Sequence, residues 1–83
     1  QSIVEDITLI ILSQINIGSI IELIKKSSKL VYKVIIKNIW NNSITLTVEF
    51  NRAEKQLTQE MVNKEKDKIL KLVFENFQVS IKK

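Results

Sequence analysis

Leu30–Phe50 reads LVYKVIIKNIWNNSITLTVEF, two extended runs joined by Asn41-Asn42. In the second run Ile44, Leu46, Val48 and Phe50 alternate with Ser43, Thr45, Thr47 and Glu49. Side chains on a strand point to opposite faces in turn. This run is therefore a strand of a sheet with one buried face. Asn41-Asn42 is a hairpin signal, because a tight type I′ turn needs positive φ and Asn tolerates it. In the first run, Leu30–Trp40, Lys33 and Lys37 share one parity. Tyr32, Val34, Ile36, Asn38 and Trp40 share the other, which Val34 and Ile36 assign to the core. For Asn38 and Trp40 to face solvent, the strand must bulge near Lys37 or run past the core.

Outward from the hairpin, the pattern changes period. Val4–Leu12 is a β-branched, apolar strand interrupted by Asp6 and Thr8 on one parity. Ser13–Asn16 is a polar turn, with Asn16 placed to cap a helix. Ile17, Ile20, Ile21 and Ile24 then recur at i, i+3, i+4, i+7, one face of that helix. Ser27-Ser28 ends it. Beyond Phe50, Asn51–Gln56 is a charged loop, and Thr58 is an N-cap with Glu60 in the first turn. Met61 stands where a capping box places Glu. A second helix runs to about Phe77, with Val62, Ile69, Leu70, Val73 and Phe77 as its apolar stripe. Lys64, Glu65, Asp67, Lys68, Lys71 and Glu75 are expected to be exposed, and Lys66 to snorkel from the stripe's edge. Val79–Ile81 is a short last strand.

The order β-α-β-β-α-β predicts an α+β, ferredoxin-like fold: a four-stranded antiparallel sheet with two helices on one face. Its 83 residues suffice for one domain spanning 1–83. The chain does not begin with Met, and the expectation is a domain excised from a longer polypeptide. No run of apolar residues is long enough for a membrane-spanning helix, and no signal-peptide pattern opens the sequence. With no Cys and no His, disulfides, zinc sites built on those residues and Cys–His or Ser–His nucleophiles are excluded. Glu5 and Asp6 are adjacent carboxylates, but on opposite sides of a strand. Gly18 is the sole glycine, so there is no Gly-rich phosphate loop. A net charge of +4, with Lys far in excess of Arg, favours an anionic partner.

Four segments together resemble a known family: Glu5-Asp6-Ile7-Thr8-Leu9, Lys37-Asn38-Ile39-Trp40, Ser43-Ile44-Thr45-Leu46 and Leu57-Thr58-Gln59-Glu60-Met61-Val62-Asn63. They are similar to the ferredoxin-fold anticodon-binding domain, which ends the β subunit of bacterial phenylalanine–tRNA ligase and the single-chain mitochondrial enzyme. The resemblance runs from about Val4 to Lys82. The family opens with Arg-Asp, carries Phe-Asp-x-Tyr at the end of the second strand, begins its last helix with Thr-Leu-Thr-x-Glu-Glu-Val and closes with Leu-Arg. Here Glu5 replaces the Arg, Asn38 the Asp, Trp40 the Tyr and Gln56 the first Thr, while Ile81-Lys82 stands for Leu-Arg. The central hairpin is cut to Asn41-Asn42, where the family commonly has a longer Gly-rich loop.

The resemblance implies a domain that binds the tRNA anticodon and performs no chemistry. Catalysis by the parent ligase, with ATP and magnesium, lies elsewhere; the domain itself holds no cofactor. Its partners are then tRNA, the rest of the parent synthetase and the catalytic subunit. The location implied is the cytoplasm, or an organelle for a mitochondrial-type parent. Trp40 is implied as the platform on which an anticodon base stacks. Asn38 presents an amide to a base edge, and Ser43 bonds base or phosphate. Lys33, Lys37, Arg52 and Lys82 supply attraction to the backbone, as does Lys83.

Each residue also has a plainer role. A lone Trp at a strand end is commonly a half-buried lid. Asn38 suits turn chemistry, and Lys33 and Lys37 suit solubility or edge protection. An RNA-recognition motif has the same element order but needs aromatics on its first and third strands, which Ser43, Thr45, Thr47 and Glu49 do not supply. The alternative class is a ferredoxin-like protein-interaction or dimerisation domain that does not read RNA.

Overall fold

The computed structural model describes residues 2–52 and 56–81. Strand β1 (Ser2–Ile11) leads into helix α1 (Ile17–Ser27), the hairpin strands β2 (Val31–Trp40) and β3 (Ser43–Asn51), helix α2 (Gln59–Asn76) and the short β4 (Val79–Ile81). The four strands form one sheet in the order β2-β3-β1-β4, with every neighbouring pair antiparallel. This is the ferredoxin-like α+β fold that the element order predicts. Lys82, one of the expected backbone contacts, lies with Lys83 outside the described residues.

Local chemistry sets the helix ends. The Asn16 side chain accepts a hydrogen bond from the Gly18 N–H at 2.9 Å, and Thr58 Oγ1 accepts from the Met61 N–H at 3.2 Å. Each satisfies a donor that the first turn leaves unpaired. Lys25 and Lys26 close α1 and suit its negative end.

The core is a single layer between sheet and helices. Ile7 and Leu9 of β1, Val34 of β2, Ile44, Leu46, Val48 and Phe50 of β3, and Val79 of β4 meet Ile20 and Ile24 of α1 and Val62, Ile69 and Val73 of α2. The alternation in β3 holds without exception. The expected core parity of β2 does not. Only Val34 of that set is buried, and Tyr32, Ile36, Asn38 and Trp40 are exposed. Tyr32, Asn38 and Trp40 leave the core parity through two register shifts, one between Val31 and Lys33 and one between Ile36 and Asn38, while Ile36 keeps the core side opposite Leu46 and is exposed there. Each shift leaves an extra residue, Tyr32 and Lys37, without an opposite number on β3. The turn also differs from expectation: Asn41 alone takes positive φ, at 54°, where a I′ turn needs it at both central residues.

Two residues of α2 are less exposed than their charge suggests. Glu65 is half-buried and accepts a hydrogen bond from the hydroxyl of buried Ser28, which in turn accepts from the Leu30 N–H. Lys66, at the stripe's edge as expected, donates to Glu5 Oε1 at 3.2 Å.

Candidate nucleic-acid interface

The sheet face away from the helices is built as rows of cross-strand neighbours. Nearest the hairpin tip, Ile10 of β1 lies beside Ser43 of β3 and Ser43 beside Trp40 of β2. The next row is Thr8, Thr45 and Asn38; the two threonine hydroxyls are 2.9 Å apart. Then come Asp6, Thr47 and Ile35, and finally Val4, Glu49 and Lys33. The β3 partners in these rows are the residues that alternate away from the core, so the register puts Asn38 and Trp40 on the open face.

The second bulge is what makes this possible. Ile36 pairs with Leu46 on the core side, and Lys37 is the extra residue. Asn38 then pairs with Thr45, Ile39 with Ile44 and Trp40 with Ser43. Past the bulge, Ile39 takes the helix side and the two polar or aromatic residues take the open side. Trp40 is 68% exposed, which removes the half-buried-lid role. Trp40, Ser43 and Asn38 thus form one cluster at the hairpin end. Ser43 sits directly beside the indole.

Charge on this face is paired. Lys37 Nζ reaches across the central strand to Asp6 Oδ2 at 2.7 Å. Thr47 Oγ1 donates to the other carboxylate oxygen, Oδ1, at 2.8 Å. The hydrogen bond from Lys37, and then that from Thr47, holds the Asp6 carboxyl below the usual carboxylate range. Lys33 lies opposite Glu49. The face mixes polar residues with Ile10, Ile35 and Val4, is close to charge-balanced along β2, and carries the exposed Trp40 at one end. Asp6 and Thr47 were not singled out by sequence, because only the β1–β3 register brings them together.

Arg52 does not join the cluster. It follows the far end of β3, nine residue steps from Ser43, about 30 Å. There its guanidinium donates to Met61 Sδ at 3.3 Å, and with Lys26, Lys29, Lys68 and Glu65 it lines a separate recess. On the helix side of the hairpin end, Ile11, Leu12, Ile15, Ile17, Ile39 and Ile44 line an open apolar groove of about 400 Å³.

No family model matches the chain. The fold and face define a ferredoxin-like domain with an exposed aromatic and amide on its open sheet surface. Among curated proteins, the chain is similar to the phenylalanine–tRNA ligase β subunit of Wolbachia sp. subsp. Brugia malayi (strain TRS). The two are 33% identical over 84 aligned residues, covering 92% of this chain. The chain spans about 11% of the length of that relative.

Proposed function

We propose that the chain is the anticodon-binding accessory domain of a phenylalanine–tRNA ligase. The observation that carries this reading is the clustering of Asn38, Trp40 and Ser43 on the open sheet face of a chain similar to such a ligase's β subunit. Single-stranded loops are read by bases stacked on aromatic rings and hydrogen-bonded at their edges. Trp40 stacks one anticodon base, a contact worth about 1–3 kcal/mol. The Asn38 amide meets a base edge, where it both donates and accepts. The Ser43 hydroxyl bonds the same nucleotide. The domain grips the anticodon end of tRNA while the parent enzyme, using ATP and magnesium, joins phenylalanine to the tRNA elsewhere, in the compartment where that tRNA is charged. Lys33 and Lys82 add attraction to the phosphates. Lys37 contributes less of it, because its ammonium is already paired with Asp6.

Binding of tRNA measured across a salt series tests this. The reading expects affinity for phenylalanine tRNA that falls steeply with salt and that Trp40→Ala lowers at every salt concentration. A second reading, a dimerisation or protein-interaction domain, draws on the apolar groove beside Ile39, which is 52% exposed. It expects self-association that depends on Ile39 and no salt-dependent tRNA binding.

A further inference from the structure

We infer that the recess at the far end of the sheet from Trp40 is a phosphate-binding site centred on Arg52. The site stands on its own charge and geometry; only its use for an RNA backbone rests on the reading above.

Three segments meet there. The end of α1 and the turn into β2 bring Lys26 and Lys29, the end of β3 brings Arg52, and the first turns of α2 bring Met61, Glu65 and Lys68. They line an open recess of about 500 Å³. Arg52 is the chain's sole arginine, among twelve lysines, and it is half-buried. Its guanidinium donates to the Met61 sulfur at 3.3 Å, a weak acceptor. The planar fork of a guanidinium has five donors and binds phosphate oxygens two at a time. Most of that capacity is unused among the described residues.

The surrounding charge has the same sign. Ion pairs among the described residues join Lys37 to Asp6, Lys66 to Glu5 and Lys68 to Glu65. Lys26, Lys29 and Arg52 have no carboxylate partner among them. Glu65 is the one carboxylate lining the recess; it accepts from the Ser28 hydroxyl, and Lys68 stands 4.0 Å away. The end of α1 adds about half a negative charge, so the four cations keep an excess of about 2.5. On the open sheet face, by contrast, Lys37 is paired with Asp6 and Lys33 lies opposite Glu49. A phosphate group presents oxygens on several sides. Arg52 takes two of them, and the flexible stems of Lys26 and Lys29 reach the others. Arg52 is about 30 Å along the sheet from Ser43, so one nucleotide does not fill both places.

The phosphate can belong to an RNA backbone or be free, and the experiment has an arm for each. Inorganic phosphate is titrated into the chain at constant ionic strength, with acetate as control, while NMR follows the Lys29 amide and the Arg52 side-chain N–H. In parallel, affinity for phenylalanine tRNA is measured across a salt series. The parent is compared with Arg52→Gln, Lys26→Gln/Lys29→Gln and Glu65→Gln. Saturable shifts with phosphate, and weaker ones with acetate, are expected. Arg52→Gln should weaken phosphate binding about tenfold or more. Glu65→Gln, which removes the opposing charge, should tighten it. The exposed lysine pair carries the test should Arg52→Gln fail to fold. If an RNA backbone is the source, each cation removed should lower the salt slope by about 1, alike for every RNA sequence. Phosphate binding that depends on Arg52, with the slope unaltered, would keep the site and assign it a free phosphate. Absence of tRNA binding by the parent would overturn the reading above, and the phosphate titration would still decide the site. Equal shifts with acetate, or no saturable phosphate binding together with an unaltered slope, would overturn the site itself.

Discussion

Asn38 lies opposite Thr45, although counting by twos from Val34 opposite Val48 brings it to Ile44. That offset of one residue decides which side of the sheet receives Trp40. Deleting Lys37 should remove the offset's cause and keep its result. Ile36 and Asn38 would become sequential neighbours, and the ladder would be regular with Trp40 still on the open face. The expected outcome is a folded chain whose tryptophan emission matches the parent. Amide and side-chain contacts between Asn38 and Thr45, read by NMR, check the register directly.

The Asp6 carboxyl should titrate below the ordinary value of 3.8, since Lys37 and Thr47 both donate to its charged form. A folded-state pKa depressed in this way contributes stability that is complete above the unfolded-state value and is lost as pH falls through the folded-state value. The contacts of Asp6 with Lys37 and Thr47 should therefore persist across the neutral range and loosen only in acid. Following the carboxyl carbon by NMR should give a midpoint below 3.8 in the parent. That midpoint should move up toward the ordinary value in Lys37→Ala.

Phe50 is fully buried between β3 and the helices. Phe50→Ala removes its contacts and leaves a cavity, which should cost about 3–5 kcal/mol in unfolding free energy by urea titration. That cost is a large fraction of the whole stability of a domain of this size. Ile39→Ala, at a half-open position, should cost much less, because little of its surface leaves water on folding.

Ser28 joins the end of α1 to α2 through the Glu65 carboxylate and also satisfies the Leu30 N–H. Ser28→Ala should strip a half-buried carboxylate and a backbone donor of one partner each. The expected loss is about 1–3 kcal/mol, measurable by thermal or urea unfolding. The loss should fall in a Glu65→Gln background, where the uncompensated charge is gone.

Much of the fold is legible in the residues because local and tertiary preferences agree. Ile44 to Phe50 alternate at period two and every one of the even positions is buried. Asn16 and Thr58 cap the helices that their spacing predicts. β2 is legible only between its two register shifts, from Lys33 to Ile36. Beyond Ile36 the face of each side chain depends on an extra residue, Lys37, whose side chain pairs with Asp6, thirty-one positions away in sequence. What points to a bulge near Lys37 is the shared parity of Asn38 and Trp40 with Val34 and Ile36, and the register shift falls there. The grouping of Arg52 with Trp40 fails for a simpler reason: the length of β3 itself carries them to opposite ends of the sheet. Glu65 looks solvated by its helical position, and only the end of α1 reveals the serine that binds it.

The most direct measurement is the fluorescence of Trp40 during titration with the anticodon stem-loop of phenylalanine tRNA. The account predicts saturable quenching as a base stacks on the exposed indole, weakened by salt and by Asn38→Ala. An emission that stays constant through the titration, with the chain folded and the indole exposed, would contradict it.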